Sequence, residues 1–233
     1  MRLFRFMLIA SVAASLQGCG RSDADYFPLN EGRWWQYRVM VKTKDEQKQY
    51  KYMVANLPSH DLDGTKTFVR RTHDGSLFFY QEGDEGINRV AVKRRTDREI
   101  KREASKHLII PYPTEIGSAW ELETTTTILD RNIRAFERKQ FMLVVPVMLQ
   151  YTVESLDDTV SVPAGRFARC LRIRGIGHTR VNPNVSVGVT DIEIEIIDWY
   201  APGVGLVRRI RKEEASTAML DSGEYLFELE SLN

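Results

Sequence analysis

Along most of the chain apolar and polar residues alternate with a period of two, the spacing of a strand with one buried face. The clearest case is Asp191 to Tyr200, "DIEIEIIDWY", where Ile192, Ile194 and Ile196 fall on one side and Glu193 and Glu195 on the other. Upstream, "GRWWQYRVMVKT", "KQYKYMVANL", "KTFVRRT" and "SLFFYQE" are rich in aromatic and β-branched residues, the types that fit a pleated surface. Between them stand "DLDG", "HDGS" and "EGDEG", whose Gly and Asp residues make tight turns. Short strands joined by tight turns pair antiparallel. The expected fold is therefore all-β: an antiparallel curved sheet, a β-roll or half-barrel, with at most one or two short helices.

Two stretches depart from this pattern. "VKRRTDREIKREASKH", Val92 to His107, carries seven Lys and Arg against three acids and is the best place for a helix. Such a run is a solvated face, or else a contact for lipid phosphates or an acidic partner. "FMLVVPVML", 141–149, is nine apolar residues, well short of the roughly 20 that span a bilayer. Pro146 has no N–H to give a ladder, which rules out an unbroken central strand. The stretch is either a buried strand broken at Pro146 or an apolar binding surface of Phe141, Leu143, Val145, Val147 and Leu149. In the second case it walls a lipid-accepting cavity or meets a membrane or partner.

Local chemistry sharpens two further places. In "DWYAPGVGLVRR", Pro202 presets the first central position of a turn and Gly203 supplies the positive φ that follows. Folding back is expected to bring Glu193 and Glu195 opposite Arg209 and Arg211, with the pairs facing water. The acids at 191, 193, 195 and 198 alternatively mark a metal or acid/base site. "FPLNEGRWWQY" and "YPTEIGSAWEL" share an aromatic-Pro pair, a glycine (Gly32, Gly117) and a tryptophan (Trp35, Trp120). Either a duplication, of 27–111 and 112–233, or one turn-into-strand device used twice produces this echo. Both indoles are expected to anchor the core.

The first residues behave differently. Arg2 and Arg5 are followed by a mostly apolar run to Leu16 and a small residue, Gly18, the three-part build of an export signal. "LQGC" resembles the lipobox of bacterial lipoproteins, with Leu16, Gln17 and Gly18 before Cys19. That resemblance implies removal of residues 1–18 and acylation of Cys19 on both sulfur and amine. Several buried chains anchor durably where one does not, at about 0.8 kcal/mol per methylene. Residues 19–26 then form a lipidated tether, and 27–233 a single β domain. Gly20, where the sorting rule would need aspartate for inner-membrane retention, implies the outer membrane, on its periplasmic face.

Charge and cysteine content fit an exported domain. The chain has 33 Lys and Arg against 32 acids, and the export segment removes Arg2 and Arg5, so the mature protein is nearly neutral. No basic surface marks it for nucleic acid. With Cys19 acylated, Cys170 has no disulfide partner, and its setting in "RFARCLRIRG" reads as a buried, inert thiol.

"YFPLNEGRWWQYRV", "VSVPAGRFARCLRI" and "DWYAPGVGLVRR" together resemble the TapB-like group of uncharacterised bacterial lipoproteins. That resemblance implies an all-β periplasmic domain on a lipid anchor, and it carries over no catalytic residue. Neither a nucleophile elbow, H-E-x-x-H, C-x-x-C, P-loop nor dinucleotide-binding glycine motif is present. His60, Asp61 and Asp63 in "SHDLDG" lack the further ligands of a calcium loop and read as a turn; His73, His107 and His178 show no ligand spacing. No cofactor, metal or catalytic residue is expected. The expected role is non-catalytic binding or envelope assembly, with the membrane and an envelope protein or lipid as partners. The alternatives are a lipid or lipoprotein acceptor with an apolar cavity, and a hydrolase.

Overall fold

The computed structural model describes residues 26–127, 144–182, 188–218 and 220–233. Leu16, Gln17, Gly18 and Cys19, and Phe141 and Leu143 of the apolar stretch, lie outside the described residues.

The strands form two meanders. One runs through β1 (Trp34–Thr43), β2 (Gln47–Leu62), β3 (Thr65–Thr72), β4 (Leu77–Gly83), β5 (Gly86–Lys93) and β6 (Lys101–Pro111). The other runs through β7 (Ala119–Thr125), β8 (Pro146–Val162), β9 (Gly165–Val181), β10 (Thr190–Ala201), β11 (Gly205–Ala215) and β12 (Gly223–Leu232). They join where β1 pairs antiparallel with β12, from Trp35 opposite Leu232 to Thr43 opposite Gly223. The result is one sheet ordered β6-β5-β4-β3-β2-β1-β12-β11-β10-β9-β8-β7, curled into a nearly closed barrel. Its two edges, β6 and β7, are consecutive in sequence but are not ladder partners.

No α-helix occurs among the described residues. The basic run at 92–107 splits instead into the end of β5, a turn in which Asp97 accepts from the Arg94 N–H and pairs with Lys101, and the first half of β6. The run has no apolar stripe at helical spacing to bury, so pairing with β5 decides its conformation. Pro146 is the first residue of β8 and faces Thr125 of β7, a position where the missing N–H is tolerated. Val145, Val147 and Leu149 are 4%, 1% and 0% exposed in the core, whereas Val144 and Met148 on the other face are each 49% exposed. Residues 144–149 thus alternate, with 145, 147 and 149 filling the barrel and Val144 and Met148 on its outer surface.

The inward faces make two joined cores. Ile192, Ile194 and Ile196 pack with Val147, Leu149, Val153, Leu171 and Ile173 on the β8–β10 wall. Trp35, Tyr37, Val39 and Val41 pack with Val207 and Leu229 around the β1–β12 junction. Burying each such side chain contributes about 1.5–3 kcal/mol. Gly175 lies opposite Tyr151, and a Cβ there would stand 2.6 Å from the Tyr151 ring, so only glycine lets that ring lie flat across β9.

The β10–β11 hairpin turns as expected: Val204 N–H donates to the Ala201 carbonyl at 3.1 Å, and Gly203 has φ 69°. Beyond the turn, a register shift at Trp199/Tyr200 sets Asp198 opposite Arg209 and Glu195 opposite Lys212. The extra residue exchanges the faces of β11 relative to a regular hairpin. The expected pairing of Glu193 and Glu195 with Arg209 and Arg211 is corrected accordingly. Arg209 sits on the isoleucine side with Asp198, while Glu195 pairs with Arg174 of β9.

The described N-terminal segment crosses one end of the barrel. Phe27 packs against Tyr80 of β4 with ring centroids 5.1 Å apart, the Pro28 carbonyl accepts from Asn56 of β2, and Pro28 abuts Gly205 of β11. Contacts to three separated strands make residues 26–30 a plug.

Candidate functional site: the barrel interior

Above the plug the barrel holds a cavity of about 630 Å³, within the usual range of small-molecule sites. Ser105, His107 and Leu108 of β6 line one side and Trp120, Leu122 and Thr124 of β7 another, so the space meets the unpaired seam. Trp120 bridges that seam, donating from Nε1 to the Leu108 carbonyl at 3.1 Å and stacking on Tyr151 at 5.5 Å. Phe27 forms the floor. A second hollow of about 540 Å³ lies across Phe27 and Pro28 at the plugged end, walled partly by exposed Asn30, Glu31 and Lys66.

The walls are aromatic and cationic. Tyr37, Tyr52, Tyr80, Tyr151 and Tyr200 all line the space. Burial pushes the phenols of Tyr52 and Tyr151 up to about 12, and Tyr37, Tyr80 and Tyr200 rise for the same first reason. All five are neutral hydrogen-bond donors at pH 7. Tyr37 donates to the Leu206 carbonyl and Tyr200 to Asp198. The Tyr80 and Tyr151 hydroxyls have no protein hydrogen-bond partner among the described residues.

Four arginines project from this inward face, and three are matched. Arg209 forms two hydrogen bonds to Asp198, which is 3% exposed, and Arg211 bonds Glu213, which is 0% exposed. Arg89 bonds Glu103 and donates to His107 Nδ1 at 3.0 Å. Burial, then the nearby Arg89 charge, lowers the His107 pKa to about 4, which leaves the ring neutral and able to accept. The Arg209 side chain is 35% exposed although walled in by the barrel, because the surface it shows belongs to the cavity.

Arg70 of β3 differs from the other three. Its Nε donates to Asn56 Oδ1 and one Nη to the Pro28 carbonyl, and its guanidinium carbon lies 4.0 Å from the Phe27 ring centre and 4.8 Å from that of Trp35. Among the described residues no carboxylate pairs with it. Burial lowers its pKa, offset in part by Tyr80, Tyr37 and Tyr200, yet a guanidinium stays charged in proteins.

The residues singled out in the sequence fall elsewhere. Cys170 is fully buried beside Val160 and Val207 and donates to the Phe167 carbonyl; burial and Asp158 push its thiol up to about 11. Asp191 pairs with Arg180 and His178 on the exposed side, so it and Asp198 occupy opposite faces of β10. Asp61 caps the β2–β3 turn through the Gly64 N–H, Asp63 pairs with Arg102, and among the described residues no group of three or more acids, His or Cys is arranged to hold a metal. Trp35 and Trp120 each donate an indole N–H to a carbonyl, of Val204 and Leu108. Sequence reasoning missed Arg70, Tyr80 and Tyr200. The only local signal was period two in "KTFVRRT", which puts Phe68, Arg70 and Thr72 on one face without saying which face is inside.

Fold and site define a nearly closed antiparallel barrel with an aromatic, arginine-bearing interior. No family model matches the chain, and no curated protein does. Two solved structures are similar to it. One is a candidate lipoprotein from Parabacteroides distasonis, 14% identical over 89% of this chain and 98% of that one, TM-score 0.40. The other is a candidate exported protein with a YmcC-like fold from Bacteroides fragilis, 13% identical over the same shares, TM-score 0.39.

Proposed function

We propose that this protein is an outer-membrane lipoprotein, anchored at Cys19, that binds a ligand inside its barrel without transforming it. The cavity at the seam carries the binding half of this reading: it brings together a half-buried arginine without a carboxylate and two tyrosine hydroxyls without protein partners. These donors open on the cavity, where water can satisfy them, and an occupant that supplies acceptors would take the place of that water. The export segment and the "LQGC" boundary carry the anchor half. Seven residues, 19–25, separate the acylated end from the plug, a reach of at most about 25 Å, so the plugged end stays close to the bilayer.

Two measurements test the halves separately. Mass spectrometry of the mature protein should show an acylated Cys19, and Cys19→Ser should leave an unprocessed precursor; an unmodified mature amino terminus would overturn the anchor. Native mass spectrometry of protein gently extracted from its own membranes should show one small molecule per chain, lost on narrowing the cavity with Leu122→Trp. The same adduct on that variant would overturn the interior as the binding site. Recovery of a stoichiometric protein in place of a small molecule would favour envelope assembly.

A further inference from the structure

The charge balance inside the barrel says more about what the cavity takes. Arg89, Arg209 and Arg211 each face a carboxylate, and of the two charged groups at the rim, Arg94 and Glu123, one is of each sign. Arg70 is left as the excess cation, at the floor. Stacking on Phe27 and Trp35 recovers part of its lost hydration, but a charge removed from water without an opposite charge remains costly. Its second Nη makes no protein hydrogen bond among the described residues and is not sealed from the cavity. Tyr80, whose ring centre lies 5.6 Å from the guanidinium carbon and whose hydroxyl has no protein partner among the described residues, adjoins it. Between this floor and the seam the walls are about half apolar, with Phe78, Leu108, Trp120, Leu122, Tyr151 and Ile173 interspersed among the matched charged pairs.

From this arrangement we propose that the cavity binds an anionic amphiphile, a carboxylate or phosphate head seated on Arg70 and Tyr80 with its apolar body along the wall toward the seam. The proposal rests on the interior being a binding site and adds the chemistry of the occupant. Guanidinium and phenol are the donor pair for such a head: a planar fork that takes two oxygens and a neutral hydroxyl that adds a third bond. The plug fixes Arg70 through Asn56 and the Pro28 carbonyl, so little side-chain entropy is lost on binding.

The test uses the mature lipidated protein in phosphatidylcholine nanodiscs, titrated calorimetrically against empty discs. The probes are octanoate, octyl phosphate, octanol and inorganic phosphate. Both charged amphiphiles should bind about tenfold or more tightly than octanol, the difference expected for a hydrogen-bonded charge, and inorganic phosphate should bind more weakly than octyl phosphate. Preference for octanoate over octyl phosphate, or the reverse, separates a fatty-acid source from a phospholipid one. Arg70→Gln should erase the advantage of the anions while octanol binding persists, and Arg70→Lys should restore part of it. Octanol binding also reports that the variant is folded. Equal affinity for octanol and the anions, or an unchanged preference in Arg70→Gln, would overturn the anionic head. Inorganic phosphate binding as tightly as octyl phosphate would overturn the apolar body. If no amphiphile binds, the reading of the interior itself fails for this class, and the native mass spectrum shows whether another ligand occupies it.

Discussion

The barrel has two junctions between its meanders, and they are built in opposite ways. Where β1 meets β12, the two ends of the described chain, the ladder runs for nine register pairs with aromatic and aliphatic residues inward and the Arg38–Glu228–Arg208 cluster outward. Where β6 approaches β7, strands separated by a single loop, the bridge is the Trp120 to Leu108 hydrogen bond. Consecutive strands usually pair because closing a short loop costs little. Here the costly, non-local junction is complete and the cheap, local one is left open. The open edge is also managed: β6 follows register shifts at Ile87/Asn88 and Arg89/Ala91 and exposes Lys101, Arg102 and Lys106, devices that discourage strand addition. Stability is concentrated at one junction and access at the other.

The largest expected effect breaks the closed junction. Leu229 is 0% exposed in its core, and Leu229→Ala should lower unfolding stability in urea by about 3–4 kcal/mol. A loss below about 1 kcal/mol would mean that β12 does not hold the barrel shut. Next comes the wall between the junctions. Asp198→Asn leaves the Arg209 charge without its carboxylate, a change that costs about 3–5 kcal/mol in a dry interior. Because the Arg209 side chain is 35% exposed to the cavity, about 2–3 kcal/mol is expected here, and Asp198→Asn/Arg209→Gln together should cost less than the sum of the two singles.

The charge cluster on the outside of the closed junction gives a pH test. Burial alone would raise the Glu228 pKa, but hydrogen bonds from Arg208 and Arg38 outweigh it and hold the carboxyl below the ordinary glutamate range. Its folded pKa is therefore lower than its unfolded one. Its contribution is complete above about pH 4.3, the unfolded value, and is lost as pH falls through the folded value. Glu228→Gln should cost about 1.5 kcal/mol at pH 7 and show a smaller stability drop than the parent between pH 7 and pH 3. Equal drops would remove Glu228 from the acid response.

How much of this was legible in the sequence follows from the range of each interaction. Alternation at Ile192, Ile194 and Ile196, the turn at Pro202-Gly203 and the core role of Trp35 depend on neighbours a few residues away or on one side chain's size, and all are seen, whereas Trp120 is half-buried at the seam instead of anchoring the core. The pairing of Asp198 with Arg209 depends on one extra residue in β11, Val207, opposite Trp199/Tyr200, and no propensity marks where a bulge falls. Arg70 and Arg71 are indistinguishable in "KTFVRRT"; only Phe27, Trp35 and Asn56, brought from the plug, β1 and β2, make Arg70 the interior cation. The basic run at 92–107 shows the converse, since its local charge pattern suits a helix and its pairing with β5 overrides it.

The smallest effect belongs to the open junction and is the sharpest discriminator between the two. Trp120→Phe keeps an aromatic ring against Tyr151 but removes the indole donor that reaches Leu108. A neutral hydrogen bond contributes about 0.5–1.5 kcal/mol, and β6 and β7 have ladder partners on their other sides, β5 and β8, so global stability should fall by about 1 kcal/mol or less. Local opening is a different quantity, governed by the few contacts that hold an edge. Amide exchange in 101–111 and 119–125 should accelerate in the variant while exchange in β1 and β12 stays unchanged. Uniform acceleration across all four strands would show that the seam and the closed junction open together, and the barrel would then have no independent door to its interior.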